Sequence, residues 1–420
     1  MRRSLWLTLI ATSTLWGVQQ PITNVWMTIM VHGTVGLQSA ASFSTFFQLL
    51  RDDMCDSCYT KIVRNIRTNP PFYGTQAIQD FGLKKIIMPT EHYQGNASSL
   101  FALIIDRELG ALQPHELRHY YTFGWSGLVS ASQRYSEAWD FYRALRKEYR
   151  HLKKQFPCAC IRIRIISYSH GGSVALNLAT ARKKLFPDDT FVINELALFG
   201  TPVMAETNRL ICDDMFESIY HFYSRNDFIQ KLDCFSQLQS FSSRRFNKVC
   251  NGKSPQRLTQ IELKVSIPSH HRGACKTCRK EYAPLHSEFW SFGWTPNAYR
   301  EYFPLYPIPM AAFTPSLINL IDDNGYKGTH IVLEIQPHHE RAIIRYRYSS
   351  ARETVPWISQ EFFDDIRNTA NTYAFDELHK QAHCEHLARA RNSVYYPLKG
   401  KHYSTCCCCG AGAKFFPECE

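Results

Sequence analysis

Apolar strands alternate with amphipathic helices over about 250 residues, which predicts an α/β protein with a mainly parallel sheet flanked by helices. Three observations carry this expectation. Thr23–Val31 is almost continuously apolar, as a strand buried on both faces must be. Cys160–Ile166 runs through a short polar turn into the small-residue stretch Ser173–Ala181, a strand followed directly by a helix. Further strand-like segments then recur at helix-length intervals.

The elements follow in order. The first strand, residues 23–31, ends at His32-Gly33, and a helical stretch is expected at about 41–66. The segment from about 68 to 119 has little pattern, so 37–119 is treated as an insertion. Tyr120–Trp125 is the next strand. A long helix covers 130–155, with Tyr135, Trp139, Tyr142 and Leu145 on one face. Its basic stretch, Arg143–Lys154, is the solvated face of that helix, with Leu145, Tyr149 and Leu152 turned inward. After 160–166 come strands at Phe191–Phe199 and Ser218–Tyr223. Arg257–Val265 is expected to be the last of the series. Ile331–Ile335 and Ala342–Tyr348 form a hairpin, and a charged helical tail covers about 358–392. Residues 21–309 are therefore expected to form the main domain, and 310–420 a C-terminal appendage.

Composition narrows the function classes. Of 420 residues, 45% are hydrophobic and 20% charged, enough to build a core and too apolar for a disordered chain. The formal net charge of +11 favours anionic surfaces such as a membrane. The 48 Lys and Arg are spread along the chain without a basic-aromatic module, so no nucleic-acid partner is expected. Met1-Arg2-Arg3 precedes an uncharged run from Ser4 to Val18, and no acidic residue occurs before Asp52. Residues 1–20 thus match a secretory signal or an anchor, which places the protein outside the cell or at a membrane. The 15 cysteines are an odd number and cannot all pair within one chain. Cys55-x-x-Cys58 and Cys275-x-x-Cys278 are read as local disulfides or free thiols in preference to a zinc site. The run Cys406–Cys409 has adjacent thiols badly placed to bridge one another.

The chemistry is concentrated at Ser167-Tyr168-Ser169-His170-Gly171-Gly172. A serine hydroxyl becomes a strong nucleophile when a base takes its proton and an acid holds that base. It must also stand clear of the backbone, on a sharp strand-to-helix turn with small residues two before and two after it. Ser169 has Ser167 and Gly171 at those places, a strand before it and a helix after it. With these residues the chain resembles the α/β-hydrolase superfamily, and within it the lipases and esterases. It departs from that family's G-x-S-x-G at Ser167, a side chain small enough for the turn.

The resemblance implies a serine hydrolase that cleaves carboxylic esters, plausibly lipid esters, through an acyl-enzyme intermediate and without a metal or cofactor. It further implies that His32-Gly33-Thr34 is the oxyanion loop, with the Thr34 and His170 N–H groups as donors. The family order of nucleophile, acid and base points to Asp227, just past the 218–223 strand, with Asp233 as the alternative. His286, in Pro284–Trp290, is the base, and His270, His271 and His330 are held in reserve. A long insertion after the oxyanion loop can supply a lid or acyl pocket, to which Phe43, Phe46 and Phe47 belong by position. The same residues leave open a non-catalytic binding protein on this scaffold, or an acyltransferase.

Overall fold

A computed structural model describes residues 23–35, 57–68, 73–88, 96–112, 116–232, 242–247, 255–266, 281–294, 303–374 and 377–395. The first strand, β1 (Asn24–Val31), is buried along nearly its whole length because strands pair with it on both sides. β3 (Leu117–Gly124) lies parallel to it on one side. On the other side β4 (Cys160–Tyr168), β5 (Ile193–Phe199), β6 (Phe216–Tyr223) and β7 (Leu258–Ser266) follow in turn, all parallel. β2 (Gly82–Lys85) closes the β3 edge in antiparallel sense, and β8 (Glu281–Tyr282) is a short antiparallel addition to β7. The result is a large mixed sheet, mostly parallel, flanked by helices.

The period of two in β4 shows how this sheet divides its two cores. Ile161, Ile163 and Ile165 enter one core, with the helices Ala131–Gln155, His170–Leu176 and Leu178–Leu185. Ile166 and Tyr168 enter the other, with the helices Ala97–Leu112, Thr314–Asp323 and Gln360–Thr372. Arg164 shares that second face. It is almost fully buried, ion-paired with Glu195 on the neighbouring strand and set over the Trp26 ring. A smaller cluster gathers Tyr59, Ile62, Val63 and Ile66 of helix Cys58–Arg67 against Leu128, Val129 and Ala390.

Several elements differ from expectation. The 41–66 helix begins, among the described residues, at Cys58, after the Ser57 side chain has accepted a hydrogen bond from the Thr60 N–H. Residues 36–56, including Phe43, Phe46 and Phe47, lie outside the described residues, as do the first 20 residues. The weakly patterned segment 68–119 contains β2 and the 97–112 helix, so it is not structureless. On the 131–155 helix the buried stripe is Ala138, Phe141, Tyr142, Leu145 and Leu152, while Trp139 and Tyr149 pack at its margin.

The C-terminal segment is the main correction. β9 (His330–Gln336) and β10 (Arg341–Tyr346) do form the hairpin, and β11 (Glu353–Pro356) extends it. However, β9 pairs in parallel with β7, so these strands continue the main sheet. Ile331, Leu333, Ile335 and Ile344 lie in the same core as Ile166 and Tyr168, so the β9–β11 segment is no appendage and β7 does not end the series.

Cys212 and Cys384 are each engaged in a disulfide, and Cys158 and Cys160 are exposed free thiols. Cys55, Cys275, Cys278 and Cys406–Cys409 lie outside the described residues. Among the described residues, no group of His, Cys, Asp and Glu is arranged to hold a metal, and no helix is long and apolar enough to cross a membrane.

Candidate active site

Ser169 sits where β4 turns into helix His170–Leu176, with φ 52° and ψ −131°. A positive φ is rare for a residue carrying a Cβ, and it is sustained only where the surroundings fix it. Here the Ser169 N–H donates to the Phe199 carbonyl at 2.9 Å, and the Gly172 N–H donates to the Ser169 carbonyl at 3.0 Å. The Ser167 hydroxyl, two residues before Ser169, donates to the Ala197 carbonyl at 3.1 Å.

The three residues selected for nucleophile, base and acid come together from distant parts of the chain. The Ser169 hydroxyl lies 2.9 Å from His286 Nε2, and His286 Nδ1 lies 2.7 Å from Asp227 Oδ2. A carboxylate only accepts, so Nδ1 carries a proton and donates it to Asp227. Nε2 is then the acceptor for the Ser169 O–H. Asp227 follows β6, two strands from the elbow with β5 between them.

Asp227 is fully buried, its second oxygen accepting from the Gln230 N–H at 3.3 Å. Gln230 is itself anchored by its side-chain amide on the Thr201 carbonyl at 3.0 Å. The Arg244 Nε donates to the Asp227 carbonyl at 2.7 Å. Neighbouring residues on the chain fix His286 in turn. Buried Glu288 accepts hydrogen bonds from the Tyr282 hydroxyl at 2.7 and 2.9 Å and from the Leu285 N–H at 2.7 Å. The Tyr168 ring lies against the imidazole, with centroids 4.7 Å apart, and Trp290 stacks on Tyr168. None of Gln230, Glu288, Tyr168 and Trp290 is given a role by the sequence, since these act by holding other side chains.

The alternatives fall elsewhere. His330 begins β9 and bonds to the Tyr223 hydroxyl at 2.8 Å, and burial draws its pKa down to about 4. Asp233, His270 and His271 lie outside the described residues.

The expected oxyanion loop is tied to the elbow. Thr34 Oγ1 lies 2.7 Å from His170 Nδ1, linking the loop to the first residue of the helix. Gly33 passes so close that a Cβ there would stand 2.8 Å from the Ser169 Cβ, so the loop needs glycine at this point. His32 is buried, and desolvation, with the Arg67 charge adding to it, holds its pKa well below the usual range. Its Nε2 accepts from the Trp125 N–H at 3.2 Å, leaving Nδ1–H to donate to the Gly33 carbonyl at 2.7 Å. The Trp125 indole N–H returns a 2.7 Å bond to the His32 carbonyl. His32 is therefore a neutral brace for the loop.

The arrangement can take a proton from a hydroxyl, hold the resulting imidazolium against a buried carboxylate and later return the proton to a leaving group. Comparison with protein-family models gives no match, and comparison with curated proteins gives no relative of significant similarity.

Proposed function

We propose that the protein is a serine hydrolase acting on carboxylic esters with an apolar acyl group. The observation that carries this reading is the continuous chain Ser169 Oγ–His286 Nε2–His286 Nδ1–Asp227 Oδ2, at 2.9 and 2.7 Å, on a strained strand-to-helix turn. In the proposed reaction His286 takes the Ser169 proton as Oγ attacks the ester carbonyl carbon. The Thr34 and His170 N–H groups stabilise the tetrahedral oxyanion, each such donor being worth about 10²–10³ in rate. His286 then protonates the departing alcohol. Water, deprotonated by the same imidazole, releases the acid and restores Ser169. Asp227 keeps Nδ1 protonated throughout and offsets the charge that His286 gains.

An apolar substrate presented at a lipid surface is supported by Phe228 and Ile229, directly after Asp227. Phe228 is 66% exposed and Ile229 36% exposed. The disulfide-bonded Cys212 and Cys384 support an oxidising compartment, in keeping with export.

Fluorophosphonate labelling and hydrolysis of p-nitrophenyl acyl esters by wild type and Ser169→Ala test the reading. Labelling at Ser169 and activity are expected in the wild type, and neither in Ser169→Ala. A folded wild type that is neither labelled nor active defeats it. Adding an alcohol to the assay separates hydrolysis from acyl transfer: ester formation in preference to acid release would reassign the protein as an acyltransferase.

A further inference from the structure

The solvated basic face of helix Ala131–Gln155 is also one wall of a cavity of about 430 Å³, within the range of small-molecule sites. Arg143, Arg146, Lys147, Arg150, His151 and Lys154 line it from the helix. Phe186, just after helix Leu178–Leu185, closes it from the other side. The helix runs from the end of β3 toward the start of β4, whereas Ser169 follows the end of β4. The cavity therefore lies toward the opposite edge of the sheet from the candidate active site.

The residues around the cavity hold one guanidinium in place and leave it open. The Arg146 Nε–H donates to Asp189 Oδ2 at 2.6 Å, and its guanidinium lies over the Phe186 ring, 3.9 Å from the centroid. Asp189 is fixed in turn by the Tyr142 hydroxyl at 3.0 Å. Among the described residues the two terminal nitrogens of Arg146 have no partner, and its side chain is 21% exposed, so they are accessible donors. Such a fork matches two oxygens of one phosphate group. The nearby carboxylates do not balance the charge. Asp140 pairs with Arg143 at 3.0 Å, Asp189 also approaches Arg150 at 3.6 Å, and Glu148 is turned to the Tyr121 hydroxyl at 2.8 Å. Among the described residues no carboxylate lines the cavity, and exposed Lys147 and Lys154 have no anionic partner.

Arg146 and Lys154 are eight residues apart, about 12 Å along the helix axis, too far for one phosphate to engage both. None of the large exposed apolar side chains among the described residues lines the cavity, so it offers a bilayer nothing to insert. We infer that this cavity is a second ligand site, for a compact small molecule carrying two or more phosphate groups. One phosphate is held by the terminal nitrogens of Arg146, and the others by Lys147, Arg150 and Lys154.

Isothermal titration of the full chain with inositol hexakisphosphate in about 150 mM NaCl tests this. One molecule per chain is expected, in wild type and in Ser169→Ala alike, and inorganic phosphate should bind at least about tenfold more weakly. Lys147→Glu with Lys154→Glu should weaken binding about tenfold or more. Lys61→Glu with Arg64→Glu, on helix Cys58–Arg67, makes the same change of net charge elsewhere and should stay within about threefold of wild type. Arg146→Lys keeps the charge but loses the fork, and should also weaken binding about tenfold. Absence of inositol hexakisphosphate binding overturns the inference, and so does binding to phosphatidylserine vesicles alone. Equal losses in the two double variants, or unchanged affinity in folded Arg146→Lys, overturn it as well. If the Lys147 and Lys154 variant does not fold, Arg146→Lys decides.

Discussion

Gly200→Ala isolates how much the proposed chemistry depends on the placement of Asp227 and His286. Gly200 closes β5 with φ +60°, and its N–H donates to the Phe222 carbonyl at 2.9 Å. A Cβ at this position would stand 3.0 Å from Asp227 Oδ2 and 3.1 Å from His286 Nδ1, whereas ordinary contact begins at 3.4 Å. The pair joined at 2.7 Å must therefore yield by 3.4 − 3.0, about 0.4 Å. Misplacing a catalytic group by 1 Å costs about a hundredfold, so a shift of this size is expected to lower kcat about tenfold. The substitution also incurs a backbone cost of roughly 1–2 kcal/mol, because an L-residue is forced to positive φ. Gly325 separates the two effects: its φ is +73°, yet a Cβ there would meet nothing within 4 Å. Both variants should lose a few degrees in Tm, and only Gly200→Ala should lose ester hydrolysis. Steady-state kinetics with p-nitrophenyl esters, paired with thermal melts, measure both quantities. If folded Gly200→Ala keeps kcat within twofold of wild type, or Gly325→Ala loses as much activity, crowding of the acid–base pair is not the cause.

Two other outcomes are expected from the same geometry. Asp227→Asn removes the acceptor that keeps the His286 proton on Nδ1, so kcat should fall about 10⁴-fold with the fold intact by circular dichroism; a loss below tenfold would remove Asp227 from the proposed role. Buried His32 and His221 and half-buried His330 all have pKa values held below 6.5, chiefly by desolvation, with His221 near 3 and His330 near 4. The unfolded chain protonates first, so the stability from keeping these rings neutral is present above pH 6.5 and lost as pH falls toward 4. For His221 alone the loss between pH 6.5 and 5 is about 2 kcal/mol. Urea denaturation at pH 7 and pH 5 measures it, and equal stabilities would contradict the assignment.

What can be read from the sequence depends on whether the signal is local. The turn at Ser169 is legible because strand, serine and helix are contiguous, and small residues are required within a few positions of Ser169. Asp227 and His286 are legible only through chain order, since nothing near either residue states that the two meet. Helix Ala97–Leu112 escaped because Leu100, Phe101, Ala102, Ile104, Ile105 and Leu109 are all buried. A helix apolar on nearly every side has no amphipathic stripe to detect. β2 is a four-residue edge strand, Gly-Leu-Lys-Lys, whose polarity hides it. Period-two patterning identifies β9 as a strand without naming its neighbour, and its pairing with β7 spans more than sixty residues of intervening chain. Pairing at that distance is decided by the joint packing of Ile331, Leu333 and Ile335 with residues such as Ile261 and Leu263.

The Ser169 turn and the His32–Thr34 loop act mechanically as one unit, which explains why a strained serine persists at this turn. Ser169 cannot relax toward an ordinary φ without moving its Cβ, and Gly33 lies directly against that atom. Gly33 in turn is held by the His32 ring, whose two nitrogens are both engaged, one with the Trp125 backbone and one with the Gly33 carbonyl. Gly171 passes against the His32 carbonyl, and Thr34 bonds to His170, so two further links join the same pieces. Each bond alone is worth about 1 kcal/mol, comparable to the strain of one unfavourable backbone conformation at about 1–3 kcal/mol. Several acting on the same few atoms outweigh it, and they do so only while β1, β3 and β4 stay in register. The position of Ser169 is thus set by three strands of the sheet that are each paired on both sides.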